Sequence, residues 1–294
     1  MDIEELRTIV LEIDEEMRQE GIPVEQRSVR LRRRLSNRLK SWSLYETPEQ
    51  RAASEILESL YPQGALGFKH TYTGAFYYKD VIYPLGVGTV FGRVTIKPEK
   101  FIVGLSPDRW YQLKSDPSAY GRYIDQCRDV ADLSLGLDDL RQQGIQTPAL
   151  NRLEAGVGHL QSASEAATGR IAKDGIMHST FLGAEVLLKG ALLAAGLPDS
   201  KLRSIGHNYS TLVTELCKTF PEVNKAALVR AGSFLPKSVS ERYEHMEYST
   251  EAAGFGIMAC QFIGGEVCRL LTKRDLRSLV KLDGTPYRLE RSFP

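Results

Sequence analysis

The segment 250–273 constrains the fold of this chain more than any other part of the sequence. Its apolar residues fall on more than one face of a helix: they are Ala252, Phe255, Ile257, Met258, Phe262, Ile263, Val267, Leu270 and Leu271. A helix that is apolar around most of its circumference must be surrounded by other elements. We therefore predict that segment 250–273 is the central helix of a helical bundle.

The residues that precede this segment supply the rest of the bundle. Apolar residues recur at helical spacing over 148–172, 175–195, 208–219 and 222–232. The pair Thr147-Pro148 is typical of a helix start, because threonine caps free N–H groups and proline fits the first turn. The sequence thus predicts an all-α domain over residues 147–275.

The N-terminal half has a different composition. Residues 3–60 show helical periodicity, whereas residues 64–105 are rich in Tyr, Phe, Val, Ile and Thr with recurring glycines, which indicates short strands and tight turns. We predict an antiparallel β meander with strands at 66–72, 74–83, 87–96 and 100–104. Helical patterns return over 107–143, interrupted by Gly136. Residues 1–143 are therefore predicted to form an α+β domain with a small antiparallel sheet.

The last segment, 276–294, is predicted to be a hairpin tail. Asp283-Gly284 stands between alternating residues, which is a strong signal for a two-residue turn. We expect its two strands to extend the sheet of the N-terminal domain.

The overall composition excludes several classes of protein. The net charge is +1, so no global field attracts nucleic acid or membrane, and attraction requires a local patch. The four cysteines form no C-x-x-C pair and fit no zinc motif, so we expect no metal site and no cofactor. The start of the chain is acidic and lacks the features of a signal peptide, and no run of 18 apolar residues occurs. We predict a cytoplasmic protein with no membrane association.

Three segments of the helical half resemble one known family. Segment 181–196 is an apolar helix that carries Glu185 and then Lys189; segment 206–212 places His207 at the start of the next helix; and Arg242-Tyr243 precedes the last long helix. In this order and spacing they are similar to the HEPN family, over about residues 150–275.

The resemblance implies a helical bundle that commonly forms homodimers. Many HEPN proteins are metal-independent ribonucleases of toxin–antitoxin and antiviral defence systems, and others are nucleotide-binding or assembly modules. The resemblance therefore implies a homodimer through the helical domain, RNA or nucleotide as the ligand, and no cofactor.

Candidate catalytic residues follow from what RNA cleavage without a metal requires. A base must activate the ribose 2′-OH, and a cation must stabilise charge on the phosphate. We predict that His207 is the base and Arg203 the phosphate clamp, with Arg242 and His245 as second choices. The catalytic HEPN pattern has four to six residues between Arg and His, whereas three separate Arg203 from His207 and two separate Arg242 from His245. The alternative is that His207 hydrogen-bonds to a neighbouring helix and stabilises the bundle.

Candidate RNA-binding residues lie in a basic stretch and near His207. Seven of the fourteen residues 27–40 are basic, and a helix with such a face can bind a nucleic-acid backbone. The predicted RNA or nucleotide contacts are Arg30, Arg33, Arg34, Arg38, Lys189 and Asn208. The alternative for the arginines is neutralisation by acidic residues of the first helix. Lys189 forms an i, i+4 pair with Glu185, which is either a surface pair or part of a cleft.

Two functions remain open at this point. The first is a HEPN-like protein of microbial defence or toxin–antitoxin type that cleaves or binds RNA or nucleotide. The second is a non-catalytic assembly or adaptor protein, which oligomerises through the bundle and docks a protein partner through the N-terminal domain. The departure from the Arg–His spacing favours the second.

Overall fold

The chain is mostly helical and divides into two compact units, Met1–His70 and Thr71–Pro294. The computed structural model describes residues 2–40, 47–61, 72–87, 97–168, 173–236, 248–278, 281–282, 285–286, 291 and 293. The predicted combination of helices with a small antiparallel sheet is confirmed at this level.

Three helices are described in the first unit: α1 (Ile3–Gln19), α2 (Val24–Arg38) and α3 (Pro48–Ser59). Thr47 caps α3 in a reciprocal capping box with Gln50, as the Thr-Pro start predicts. The helices share one apolar core, formed by Leu6, Val10, Ile13, Met17, Ile22, Leu31, Leu35, Ala53 and Leu57. The buried Arg27 of α2 links the three helices, because it donates to Asp14 of α1 and to the hydroxyl of Tyr61, which follows α3.

The second unit begins with a β-hairpin. Strand β1 (Tyr72–Tyr78) pairs antiparallel with β2 (Val81–Val87), and the chain reverses at Lys79 and Asp80. Both turn residues have left-handed backbone, with φ of 47° and 63°, which suits the twist of a two-residue hairpin. The prediction of one continuous strand over 74–83 is therefore wrong. The turn is formed by Lys79 and Asp80, and this pair is a weaker turn signal in a sequence than Asn-Gly or Asp-Gly.

The remaining predicted strands have different outcomes. Segments 66–72 and 87–96 lie almost entirely outside the described residues. Segment 100–104 forms only an isolated bridge, in which Ile102 pairs with Leu85.

Eight α-helices are described in the second unit. They are α4 (Pro107–Ser115), α5 (Pro117–Gln142), α6 (Thr147–Thr168), α7 (Lys173–Ala194), α8 (Asp199–Ile205), α9 (Tyr209–Thr219), α10 (Lys225–Gly232) and α11 (Thr250–Thr272). Helix α11 is buried over most of its length, which confirms its predicted central place. Ser249 caps it by accepting from the Ala252 N–H. The short helix α8 was not predicted.

Helix α5 is continuous over 26 residues, so the predicted interruption at Gly136 is wrong. A Cβ built on Gly136 would lie 2.5 Å from the Cβ of Cys268 on α11. The glycine therefore permits α5 and α11 to approach closely and does not end the helix.

The observed division of the chain differs from the predicted boundary near residue 145. Phe76 of β1 and Val130 of α5 belong to the same apolar cluster as Leu187 of α7 and Phe262 of α11. The hairpin and α5 were predicted to belong to an N-terminal domain, but they share the core of the helical half. The reason is that α11 packs against α5 as well as against α7.

The tail forms the predicted antiparallel pair, between β3 (Lys281–Leu282) and β4 (Thr285–Pro286). In the described part of the chain this pair is a two-stranded sheet of its own, so the expectation that it extends the first sheet is wrong.

Among the described residues, two helical segments are long and apolar enough to span a membrane by length and composition: Gly175–Ala194 and Thr250–Thr272. The apolar windows of these helices are 67% and 89% buried inside the protein. Such burial is also found for the core helices of a bundle.

Candidate functional site

His207 lies at the junction between α8 and α9. Gly206 follows the last turn of α8 with a φ of 63°, a backbone conformation that favours glycine. Asn208 then caps α9 by accepting from the Thr211 N–H. The sharp turn at Gly206 and the immediate start of α9 fix the position of His207 between two helix ends.

The side chain of His207 contacts a buried carboxylate on α7. Its Nδ1 lies 2.8 Å from Oε2 and 3.0 Å from Oε1 of Glu185. Lys189, one turn later on α7, donates to Oε1 of the same carboxylate at 2.7 Å. The Glu185 side chain is 4% exposed, whereas that of His207 is 48% exposed. We call these three residues the His207–Glu185–Lys189 cluster.

This geometry determines which nitrogen of His207 can act as a base. A carboxylate accepts hydrogen bonds, so Nδ1 carries the proton that is donated to Glu185. In neutral histidine Nε2 is then the acceptor. No protein group in the described part of the chain bonds to Nε2. The cluster therefore presents an oriented, partly exposed base, supported by a buried carboxylate.

Close helix packing places Glu185 at this position. Gly183 on α7 approaches Gly156 and Leu160 on α6, and Gly190 approaches Leu153, so that a Cβ at either glycine would meet α6 within 3 Å. This packing fixes α7 against the core on both sides of Glu185. Lys189 and His207 both contact this buried carboxylate.

Arg203, the predicted phosphate clamp, is directed elsewhere. It donates to Asp199 at 2.7 Å, and Asp199 also accepts from Arg152 of α6 at 2.7 Å. The hydrogen bond from Arg152 and then that from Arg203 lower the pKa of Asp199. The Arg203 side chain is 82% exposed, and the described contacts do not join it to His207. Lys189 is the cation that the structure brings to the cluster instead.

The other predicted site residues are distributed as follows. Arg242 and His245 lie outside the described residues. Asn208 uses its side-chain oxygen to cap α9. Glu185 was not among the predicted site residues. The sequence signals for the cluster were the i, i+4 spacing of Glu185 and Lys189 and their position in the apolar segment 181–196.

Two of the four predicted RNA-binding arginines of α2 pair with acidic residues of α1 or of its C-cap. Arg34 donates to Glu20 at 2.5 Å, and Arg38 pairs with Glu12 and Glu16. These contacts match the alternative of neutralisation by the first helix.

Arg30 and Arg33 are exposed, and no ion pair joins either of them to another described residue. They are the members of the predicted set that present free charge to solvent.

A second polar cluster lies in the core between α5 and α11 and was not predicted. Arg269 donates to Asp132 at 2.7 Å, to Glu266 at 2.8 Å and to Asp129 at 3.1 Å. Arg291 of the tail pairs with Asp129. We call it the Arg269 network.

The Arg269 network is enclosed and serves the fold. Burial raises the pKa of Asp132 to about 6, although Arg269 opposes the shift. Arg277 adds a third guanidinium, which donates to Glu266 at 2.5 Å and also pairs with Asp275, so three arginines face four carboxylates. Because its charges are internally paired and shielded from solvent, this network holds the tail to the bundle and offers no open site.

Comparison of the chain with known protein families, with curated proteins and with solved structures finds no match. Within the described residues, no group of three or more His, Cys, Asp or Glu side chains is arranged to hold a metal ion.

Proposed function

We propose that this protein is a HEPN-like ribonuclease of microbial defence or toxin–antitoxin type, with His207 as its base. The observation that supports the proposal is the His207–Glu185–Lys189 cluster. Nδ1 of His207 is held by a buried carboxylate, and Nε2 is left facing partly exposed space. We further propose that the protein is cytoplasmic and dimerises through the helical unit, as the resemblance of residues 150–275 implies.

The proposed reaction is cleavage of RNA by its own 2′-hydroxyl. Nε2 of His207 accepts the 2′-OH proton while the 2′-oxygen forms a bond to phosphorus and the bond to the 5′-oxygen breaks. The imidazolium returns the proton to the leaving 5′-oxygen, so the products are a 2′,3′-cyclic phosphate and a 5′-hydroxyl. Glu185 stabilises the imidazolium, as a carboxylate does in other histidine-based sites. Lys189, the cation that the structure brings to the cluster, supplies positive charge near the phosphate.

Cleavage of a fluorescent single-stranded RNA in the presence of EDTA tests this function. Wild-type protein should produce cyclic-phosphate ends, and His207→Ala should lower the rate at least a hundredfold. His159→Ala, on α6, is the matched control and should retain the wild-type rate. A 2′-deoxy substitution at the cleavage site should block the reaction. An unchanged rate for His207→Ala would overturn the catalytic proposal.

The second candidate is a non-catalytic assembly or adaptor protein. The same contacts favour it in one respect, because His207 bonds to the buried carboxylate of Glu185 and so joins α7 to the α8–α9 junction. In this function the wild-type protein would cleave no RNA. His207→Ala would lower the melting temperature and weaken self-association in sedimentation. Arg30 and Arg33 would then be candidate contacts for a partner.

A further inference from the structure

We propose that the first unit binds duplex DNA, with helix α2 lying in the major groove. The observation that carries the proposal is the division of α2 into two faces, one with paired arginines and one with unpaired arginines. All of these residues belong to the first unit, whereas His207 and Glu185 belong to the second. The inference is therefore independent of the proposed ribonuclease function.

Three arginines of α2 face their neighbours within the unit and are already paired. Arg27 is buried and donates to Asp14 of α1. Arg34 and Arg38 pair with acidic residues of α1 or of its C-cap. On this side of the helix, positive and negative charges therefore neutralise each other, and the three arginines are not available to a ligand.

The other side of α2 is an exposed stripe of hydrogen-bonding side chains. Gln26, Arg30, Arg33 and Asn37 follow one another at helical spacing, so they lie on one side of the helix, away from the buried Leu35. All four are exposed, and no hydrogen bond or ion pair joins their side chains to another described residue. We call these four residues the outward stripe. It presents two guanidinium groups and two amides to solvent.

The arginines of the outward stripe are placed unfavourably for the helix alone. Arg30 precedes Arg33 by three positions and Arg34 by four, so like charges are neighbours on the helix surface. Such pairs destabilise a helix, and an acidic residue at either spacing would relieve the repulsion. The outward stripe contains no acidic residue. A bound polyanion neutralises these charges, so a nucleic-acid backbone provides a physical reason for the arrangement.

The shape of this surface favours duplex DNA over RNA. The major groove of B-DNA is about 12 Å wide and admits a helix with its side chains, whereas the major groove of duplex RNA is too narrow. Between Gln26 and Asn37 the helix rises on the order of 16 Å, which corresponds to about five base pairs. Single-stranded RNA is bound largely by stacking of its bases on aromatic side chains. The outward stripe has no aromatic residue.

The side chains of the outward stripe have the chemistry that groove binding requires. Arginine binds phosphate oxygens and also the O6 and N7 atoms of guanine, which matches Arg30 and Arg33. The amides of Gln26 and Asn37 can each donate to N7 and accept from N6 of adenine. The stripe therefore supplies charge for affinity and hydrogen-bonding groups for reading base edges.

Fluorescence anisotropy with the full chain tests the choice of nucleic acid. The probes are a labelled DNA duplex and the same sequence as duplex and as single-stranded 2′-O-methyl RNA, which the proposed cleavage reaction cannot cut because it lacks a free 2′-hydroxyl. The DNA duplex should bind at least tenfold more tightly than either RNA, and its affinity should fall as salt is added. Equal or tighter binding of either RNA, or no binding of DNA at low salt, would overturn the proposal.

Two double variants assign the binding to the outward stripe. Arg30→Gln/Arg33→Gln should weaken DNA binding at least tenfold and reduce the slope of log Kd against log salt by about 2, because two phosphate contacts are lost. Arg109→Gln/Lys114→Gln on α4 is the matched control, since it removes the same charge from exposed positions of the second unit. The control should bind DNA as wild type does. Equal weakening in both variants would show attraction by net charge alone and refute the site.

Thermal melting distinguishes lost binding from lost folding. Arg30→Gln/Arg33→Gln should melt no lower than wild type, because the substitutions remove like-charge neighbours from an exposed helix face. Weaker DNA binding by a variant of unchanged stability then assigns the effect to the contacts themselves. Wild-type affinity in this variant would refute the outward stripe as the binding surface.

Discussion

The Nδ1 atom of His207 lies 2.8 Å from Oε2 of Glu185, although 22 positions separate the two residues in the chain. This contact joins the end of a short helix to the middle of a core helix. It gives a histidine that looks isolated in the sequence a fixed orientation and a buried counter-charge.

Glu185→Ala should destabilise the protein by about 3 kcal/mol, because Lys189 is then left mostly buried without its partner. Glu185→Gln keeps the shape and one acceptor, so its cost should be smaller, about 1 kcal/mol. Urea denaturation followed by circular dichroism measures both values. Equal stability of Glu185→Ala and wild type would show that the carboxylate is not a structural anchor.

Arg269→Met should be more damaging than substitution of any surface arginine. Arg269 is the common partner of Asp129, Asp132 and Glu266, and its removal leaves three carboxylates in the core. Breaking such a buried network costs about 3–5 kcal/mol. The control is Arg203→Met, whose side chain is exposed and which should leave the unfolding free energy unchanged. Similar denaturation midpoints for the two variants would contradict this account.

Asp132 should make the stability of the protein depend on pH near 6. Burial raises its pKa to about 6 in the folded state, above its ordinary value of 3.8. The folded protein therefore holds this proton more tightly, so the stabilisation is fully present below pH 4 and is lost as the pH rises through 6.

Asp132→Asn measures this contribution directly. Wild type should gain roughly 1 kcal/mol relative to the variant when the pH falls from 7 to 5. Urea denaturation of both proteins at the two pH values provides the comparison. A difference between the proteins that does not change with pH would exclude Asp132 as the titrating group.

Gly136→Ala should destabilise the bundle by about 1–3 kcal/mol, the usual cost of overpacking. The new Cβ would lie 2.5 Å from the Cβ of Cys268, and neither helix backbone can move away without disturbing the core. Gly158→Ala is the opposite case, since its Cβ meets open space in a helix, and it should stabilise by up to about 1 kcal/mol. Melting temperatures that shift in the same direction for both variants would contradict the packing argument.

Thiol labelling of the native protein should detect one reactive cysteine of the four. Cys127, Cys260 and Cys268 are buried, and burial raises their pKa values, to about 12 for Cys127 and Cys268. Cys217 is partly exposed, so the reagent reaches it even though partial burial also raises its pKa. An Ellman assay at pH 8 should therefore show one fast thiol before denaturation and four after it. Fast reaction of a second thiol in the native protein would indicate that the core opens.

The sequence by itself determined most of the helices and where they begin. Apolar residues at helical spacing and capping pairs such as Thr47-Pro48 act within one or two turns, so they can be recognised without knowledge of the fold. The central place of α11 followed from its apolar circumference for the same reason. The sequence also offered the pairing of Arg34 and Arg38 with the acidic first helix as an alternative. Two oppositely charged helices that follow each other in the chain can pack together and pair their charges.

Only the tertiary structure decided which elements share a core and which polar residues meet. The sequence predicted that Gly136 interrupts a helix, whereas in the structure Cys268 packs against this glycine within a continuous helix. The partner of His207 is Glu185 and not Arg203, and Asp132 meets Arg269 across 137 positions. Local propensity depends on neighbours in the chain, whereas these contacts depend on how close two helices pack, and that distance is set by every side chain between them.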